Sequence, residues 1–475
     1  MAQVFSVQDQ ICSLSLSDVH LLPKMMQPTV RLAASGNFLD VDLSNDSLPV
    51  TVNVARQQIA KHVGKAINCI RLLDPVSHTV LESEEIVGSE VQVVVLSVDP
   101  QAEERAEASL LLATGQGSMA DLATCTEIKA GENWLYRHQI HALPESFGQL
   151  TALQELWVGQ NHLTALPDSF GQLRSLQKLS FSNNQLSTLP ESFGQLTALQ
   201  VILLDHNQLR ALPESFGQLT AVQQLRLGHN LIRDLPQSFC RLRALQSLWL
   251  NSNQLDALRE DFGQLTALEA LSLERNRLQA LPESFGQLTA LEFLLLDHNE
   301  LGALPESFGQ LTALQQVWFE HNQLHKLPQS FGQLRHLQKL RLNHNKLCAL
   351  TESFGLLTGM QKLRLDHNQL RTLPDSFGQL TDLQELRLDH NQLRALPESF
   401  GQLAALQSLW LECNPLLLLP CSFGQLMILQ ELHGSNCLQA QRWMQAFRSG
   451  VIRHLGRCIR WCCWCPLCPS VCNGA

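Results

Sequence analysis

Seven histidines recur at one register of this chain: His206, His229, His298, His321, His344, His367 and His390, each 23 residues or a multiple of 23 from the next. Acidic residues stand beside them in the second half, among them Asp297, Glu320, Asp366 and Asp389. Imidazole and carboxylate at close quarters could ligate a metal or sense pH, because free His titrates near about 6.5. A regular row offers no closed ligand set and no fixed outer shell. No metal site and no cofactor is therefore expected. The phrase DHNQL also reads as something copied along with its surroundings, and one sequence does not separate duplication from selection.

A second group is the six Cys crowded into residues 458–472, with five Arg and no acid over 440–475. Three chemistries fit it. Acylation of Cys458, Cys462, Cys463, Cys465 and Cys468 beside a basic amphipathic helix would supply the two signals that stable membrane anchoring needs. Zinc could take Cys462, Cys465, Cys468 and Cys472, although these sit in one short run with no distant partner pair. The third reading is an unstructured tail. Nucleophile elbows, phosphate loops, HExxH and kinase signatures are all missing from the chain, so no enzyme is expected.

The third group is a column of Trp and Arg: Trp157, Arg226, Trp249, Trp318, Arg341, Arg364, Arg387 and Trp410. Four of the eight Trp in the chain lie in it. Exposed Trp and Arg dominate binding hot spots. With Phe293 and Leu295 extending its apolar end, this column is the expected partner site. Its Arg are expected to lean on Asp366, Asp389 and Glu385 until an acidic or phosphorylated segment replaces them.

What positions these residues is a 23-residue unit repeated thirteen times, beginning at Leu143 and at every 23rd residue to Leu419. Apolar residues hold positions 1, 5, 8, 11, 14, 16 and 21, as in Leu143, Phe147, Leu150, Leu153, Leu156, Val158 and Leu163. Positions 14 and 16 alternate as a short strand requires, which sends 13, 15 and 17 to the other face. Positions 18 and 20 are expected to face outward with them. Position 19 is Asn in twelve copies, and an amide there can bond backbone groups where the chain leaves the strand. Phe at position 5, Pro at 2 and Gly at 6 imply a packed spine and a return path of turns. One copy exposes too much apolar surface to fold alone, so copies must stack and their ends be capped.

The pattern LxxLxLxxNxL within units opening LPxxFGxL resembles the intracellular Ras-group leucine-rich repeat proteins, over residues 143–440. That resemblance implies an α/β solenoid with a parallel sheet on its concave face, and protein binding without chemistry. Upstream, TVRLAASG and NFLDVDLS read as paired strands, TVNVARQQIAKHVG as a helix, and CIRLLD and EVQVVVLSV as further strands. This order, with Thr51, Ile59, Gly64 and the run Arg71-Leu72-Leu73, resembles ubiquitin over 28–97. It implies a small α+β β-grasp domain with a docking surface near Leu73. An unrelated α+β unit fits the same pattern.

The chain thus divides into an N-terminal segment 1–27, a β-grasp unit 28–97, a linker 98–120, a degenerate cap 121–142, the repeats 143–440, and a basic helix with a Cys-rich tail 441–475. In the cap, Leu135, His138 and Ile140 fall at repeat register. A net charge of -10 argues against nucleic acid as the partner. With no signal-peptide pattern and no long apolar run, a cytoplasmic protein-interaction scaffold in signalling is expected, membrane-associated if the tail is acylated. The alternative is a recognition or targeting subunit of a ubiquitin ligase or phosphatase complex.

Overall fold

The computed structural model describes residues 117–129 and 140–434 throughout, a helix α1 (Pro100–Thr114), and upstream of it five strands as backbone. From Leu143 each 23-residue copy is one coil. It runs through a 3-10 turn on Phe at position 5, crosses to a three-residue strand on positions 13–15, and turns back. The strands run from β7 (Glu155–Trp157) to β19 (Glu431–His433), one per coil. Together with β6 (Glu127–Lys129) they form a single 14-stranded sheet in strict sequence order. Each neighbouring pair is parallel, and from β7 onward each is shifted by one whole copy, as in Leu340↔Leu363. Strands this short make few bonds each, so the sheet exists only as a stack.

Position 19 locks the coils together. The Asn322 side-chain amide donates to the Phe319 carbonyl of its own coil at 3.2 Å and to the Leu296 carbonyl of the preceding coil at 2.9 Å. Its oxygen accepts from the Leu301 amide at 3.1 Å. The same three-way bond recurs from Asn184 to Asn414. These side chains are buried, and each satisfies backbone groups that have no ladder partner. Directing Asn inward requires a left-handed residue at position 18. All twelve non-glycine residues with positive φ among the described residues are there, at φ 51–59.

Position 5 forms a continuous core. Phe rings of adjacent coils stack 5.8 to 6.4 Å apart, whereas position-18 imidazoles at the strand ends stack at 4.1 to 4.4 Å. The coils are thus spaced wider on the Phe side than at the strands, which bends the stack with its sheet inside. Position 6 is Gly because a Cβ there would strike the carbonyl and Cβ of the Ser at position 4 in the next coil, as with Gly309 and Ser330. One coil carries Cys240 instead, and it faces the one copy with Asp261 in place of that Ser. The facing turn is correspondingly shortened to Phe262–Gln264, with the Cys240 thiol 3.4 Å from Asp261.

The N-terminal end differs from expectation in two respects. Residues 98–120, expected to be a linker with a short helical piece, carry the 15-residue α1 and the start of α2 (Met119–Ala123) and serve as part of the cap. Leu110 of α1 and Leu122 of α2 join the core. The Glu103 carboxylate accepts from the Glu145 amide at 2.7 Å, at the start of the first coil's 3-10 turn, where no intrahelical partner exists. The cap strand also falls five residues earlier than gapless register, because β6 pairs Glu127 with Glu155 across 28 residues. Register is regained at Ile140, which is buried and donates to Asn161 at 3.2 Å. Leu135 and His138 lie outside the described residues.

Further upstream, β1 (Ile11–Ser15), β4 (Ile70–Leu73) and β5 (Glu90–Val95) form an antiparallel sheet in the order β1-β5-β4. β2 (Thr29–Ala34) pairs antiparallel with β3 (Asn37–Asp42). The four strands expected from 28–97 are among these five. The expected helix after Thr51, with Ile59 and Gly64, lies outside the described residues, as does the basic, Cys-rich tail from Gln441 onward.

Candidate functional site

The inner face is set by strand alternation. With position 14 buried in every coil, positions 13 and 15 point away from the core, and pairing aligns position 15 into one column. Trp318 stands beside Arg341, Arg341 beside Arg364, Arg364 beside Arg387, and Arg387 beside Trp410. The Arg341 guanidinium lies 4.0 Å over the Trp318 ring and that of Arg387 4.4 Å over Trp410, so the two Trp bracket the three Arg. Arg226 lies 5.4 Å over Trp249, a weaker version of the same contact. Phe293 is exposed, and Leu295 is half-buried beside Trp318. Trp157 sits at the N-terminal end of the column, with its indole donating to Glu155 at 3.2 Å. Two small members, Ser180 and Ser272, are buried between larger neighbours instead of facing solvent.

Two of the three Arg take an expected partner, Glu385, and the third does not. Arg341 donates to Glu320 at 2.8 Å, not to Asp366 or Asp389. Burial raises the Glu320 pKa, but its bonds from Arg341 and Asn343 outweigh that and leave it lowered. Arg364 and Arg387 share Glu385 at 3.5 and 3.7 Å, with Lys362 on the same carboxylate at 3.1 Å. Here too burial opposes, and the Lys362 bond followed by the nearby cations holds Glu385 below its ordinary value. Three cations thus share one carboxylate. Lys362, at position 13 like Glu385, escaped sequence reasoning because only column 15 stood out by composition. Its outward-facing register was the available signal.

Position 17 departs from expectation more sharply. Asp297, Asn343 and Asp366 are buried, at 7–8% exposure, because adjacent coils crowd this end of the strand. Burial, with the carboxylates of Glu320 and Glu274, pushes Asp297 up to about 7, although the Glu320 amide donates to it at 2.7 Å. Asp205 uses its Oδ1 the same way, accepting from Gly228 at 3.0 Å. The Oδ1 atoms of Asn343, Asp366 and Asp389, in three consecutive coils, have no hydrogen-bond partner. The imidazoles of position 18 do stack into a row, and burial and then a neighbouring imidazole hold His229, His298 and His344 below the ordinary value.

Comparison with known proteins agrees with this geometry. Leucine rich repeat models match residues 151–209, 212–255 and 358–416, and a leucine-rich repeat region model matches 239–323. No curated protein matches. Among solved structures, a leucine-rich repeat protein of Leptospira interrogans is 32% identical, with a TM-score of 0.61, over 73% of this chain and 96% of its own length. An internalin of Listeria monocytogenes shares the fold at 20% identity and a TM-score of 0.57, over 71% and 96%. The Toll–Spätzle complex of Drosophila matches at 26% and 0.56, over 66% of this chain and 45% of that one. By repeat, fold and identity, this chain belongs to the leucine-rich repeat family.

Proposed function

We propose that this protein is a non-enzymatic interaction scaffold whose concave sheet captures an acidic or phosphorylated segment of a protein partner. Leucine-rich repeat proteins generally mediate protein–protein interaction. One of the similar structures is of Toll with Spätzle, and another is of a plant peptide hormone receptor with its peptide. The observation that carries the reading is the Trp318–Arg341–Arg364–Arg387–Trp410 run, in which three guanidiniums stand in register between two indoles. Planar guanidinium pairs bidentately with carboxylate or phosphate, and the flanking Trp supply apolar area at low entropic cost. An incoming acidic group would relieve Glu385 of its two Arg. Copurification with the triple variant Arg341→Ala, Arg364→Ala, Arg387→Ala tests this. Loss of the captured protein with an unchanged thermal transition is expected, and unchanged capture rejects the site.

The upstream strands would form a built-in ubiquitin-like unit that recruits a second partner, supported by the β2–β3 hairpin and by β4 and β5. Slowed amide exchange across residues 52–63 is its test, and free exchange there ends it. A cytoplasmic setting is proposed from the scattered cysteines, of which Cys125, Cys240, Cys348, Cys413 and Cys421 are free thiols. Tail acylation would add membrane contact. Hydroxylamine treatment should then release the protein from membranes, and retention would exclude thioesters as the anchor.

A further inference from the structure

We propose that His344, Asp366 and His367 bind a divalent transition-metal ion of the Zn(II) class at the strand ends of two adjacent coils, on the inner side of the solenoid. They are the one group of three ligand-type residues among the described residues whose donor atoms all lie within 4.8 Å of one another. Two imidazoles and a carboxylate are a donor set that zinc takes in open sites, leaving a fourth position for water. Asp366 Oδ2 lies 3.2 Å from His367 Nδ1. A tetrahedral ion with bonds of about 2.0–2.2 Å separates its ligands by roughly 3.3 Å, so this edge is already formed. His344 completes the set by closing about 1.5 Å onto it. Its ring stacks face to face on His367 at 4.2 Å, so one imidazole must turn about its side-chain torsions to aim both nitrogens at the ion.

The regularity that argued against a closed ligand set breaks at this place. The chain repeats an Asp-His pair at Asp205–His206, Asp297–His298, Asp366–His367 and Asp389–His390. In the first two, the carboxylate caps an amide of the next coil, Gly228 or Glu320. At Asp366, buried at 8% exposure, Oδ1 has no partner, and the flanking Asn343 and Asp389 each present a similar orphaned oxygen. A buried, unpartnered carboxylate oxygen costs free energy unless something satisfies it, and a cation held by both oxygens of Asp366, Oδ2 on the His367 side and the orphaned Oδ1, would do so. His344 is half-buried and His367 exposed, so the ion has a path in.

The test is titration of the full chain with Zn(II) by calorimetry and with Co(II) by absorption, comparing the unaltered protein with His344→Asn, His367→Asn. Asparagine suits this left-handed backbone, as Asn183 does in the same column at φ 59. The variant should therefore keep its thermal transition. One bound equivalent is expected whose cobalt spectrum lacks thiolate charge transfer, which sets it apart from any site in the Cys-rich tail. The double variant should lose that equivalent or bind it at least about 10-fold more weakly, the scale on which even outer-shell partners act. Asp366→Asn should weaken the same equivalent. Equal stoichiometry and affinity in the variants, or cobalt bands of thiolate type only, overturns the site.

Discussion

Each coil has two sides that obey different rules. On the inner side of the strand, position 15 ranges over Trp, Ser, Leu, Arg and His. On the buried side, Phe at position 5 is invariant, and Asn at 19 and Gly at 6 are nearly so. The fixed residues are those whose atoms reach the next coil: the Asn amide bridges two carbonyls, the Phe ring stacks on its neighbour, and the Gly lets a Ser carbonyl approach. A change there is felt by two coils. Residues that reach only solvent or a partner are free to differ, so the repeat separates stability from recognition. The contrast between Cys240 and Gly309 refines the point. The Gly is replaced where the facing Ser has been replaced by Asp261, so what is constrained is the contact and not the residue.

Breaking the frame should have the largest effect. Asn322→Ala strands the Leu301 amide and removes one of two bonds from each of the Leu296 and Phe319 carbonyls, which keep Asn299 and Asn345. At about 1–3 kcal/mol for the orphaned amide and about 0.5–1.5 for each lost carbonyl bond, about 3 kcal/mol should be lost around that coil. Amide exchange should quicken in both neighbouring coils, and a melt should broaden as the array stops unfolding as one unit. Gly309→Ala should cost about 1–3 kcal/mol through overpacking against Ser330. Cys240→Ala, at the same position facing Asp261, should cost about 1 kcal/mol or less. Equal losses at the two sites would refute the compensation.

A smaller effect is expected from pH. Asp297 titrates at about 7 when folded against 3.8 for the free group. The folded state therefore holds its proton more tightly, and this contribution fades as pH rises from about 4 to 7. Asp297→Asn retains the acceptor for Glu320 and should gain on the order of 2 kcal/mol at pH 8. With that opposing trend removed, the lowered His229, His298 and His344 should make the variant lose stability as pH falls below about 6.5, where the unfolded chain takes up protons that these three resist. Thermal melts between pH 5 and 8 check both signs. The smallest effect on stability, under about 1 kcal/mol, belongs to the triple Arg variant, because its ion pairs are a third exposed.

Much of this architecture was legible in the sequence, for a physical reason. A period of 23 residues repeats every inter-coil contact, so the inward roles of Phe147, Asn161 and Leu156 can be read from any copy. The ends were not legible, because they are not periodic. Five extra residues shifted β6 upstream, and α1 hides its core contact in the single turn around Leu110. The choice of Glu320 by Arg341 was also hidden, since column arithmetic gives neighbours but not the lean of a long side chain. Nor does residue type alone announce the left-handed backbone beneath the His row: histidine is enriched there, but Gln160, Ser252, Arg275 and Cys413 hold the same conformation. The orphaned oxygen of Asp366 follows from that geometry and has no signature in composition.

The account stands on the Trp–Arg run being where a partner binds. Amide exchange of the full chain, with and without the copurified partner, measures this directly. Binding should slow exchange in the strands from Gln316–Trp318 to Ser408–Trp410 and leave the outer 3-10 turns such as Glu306–Gln310 unchanged. Protection confined to those turns, with the strands unaffected, would contradict it.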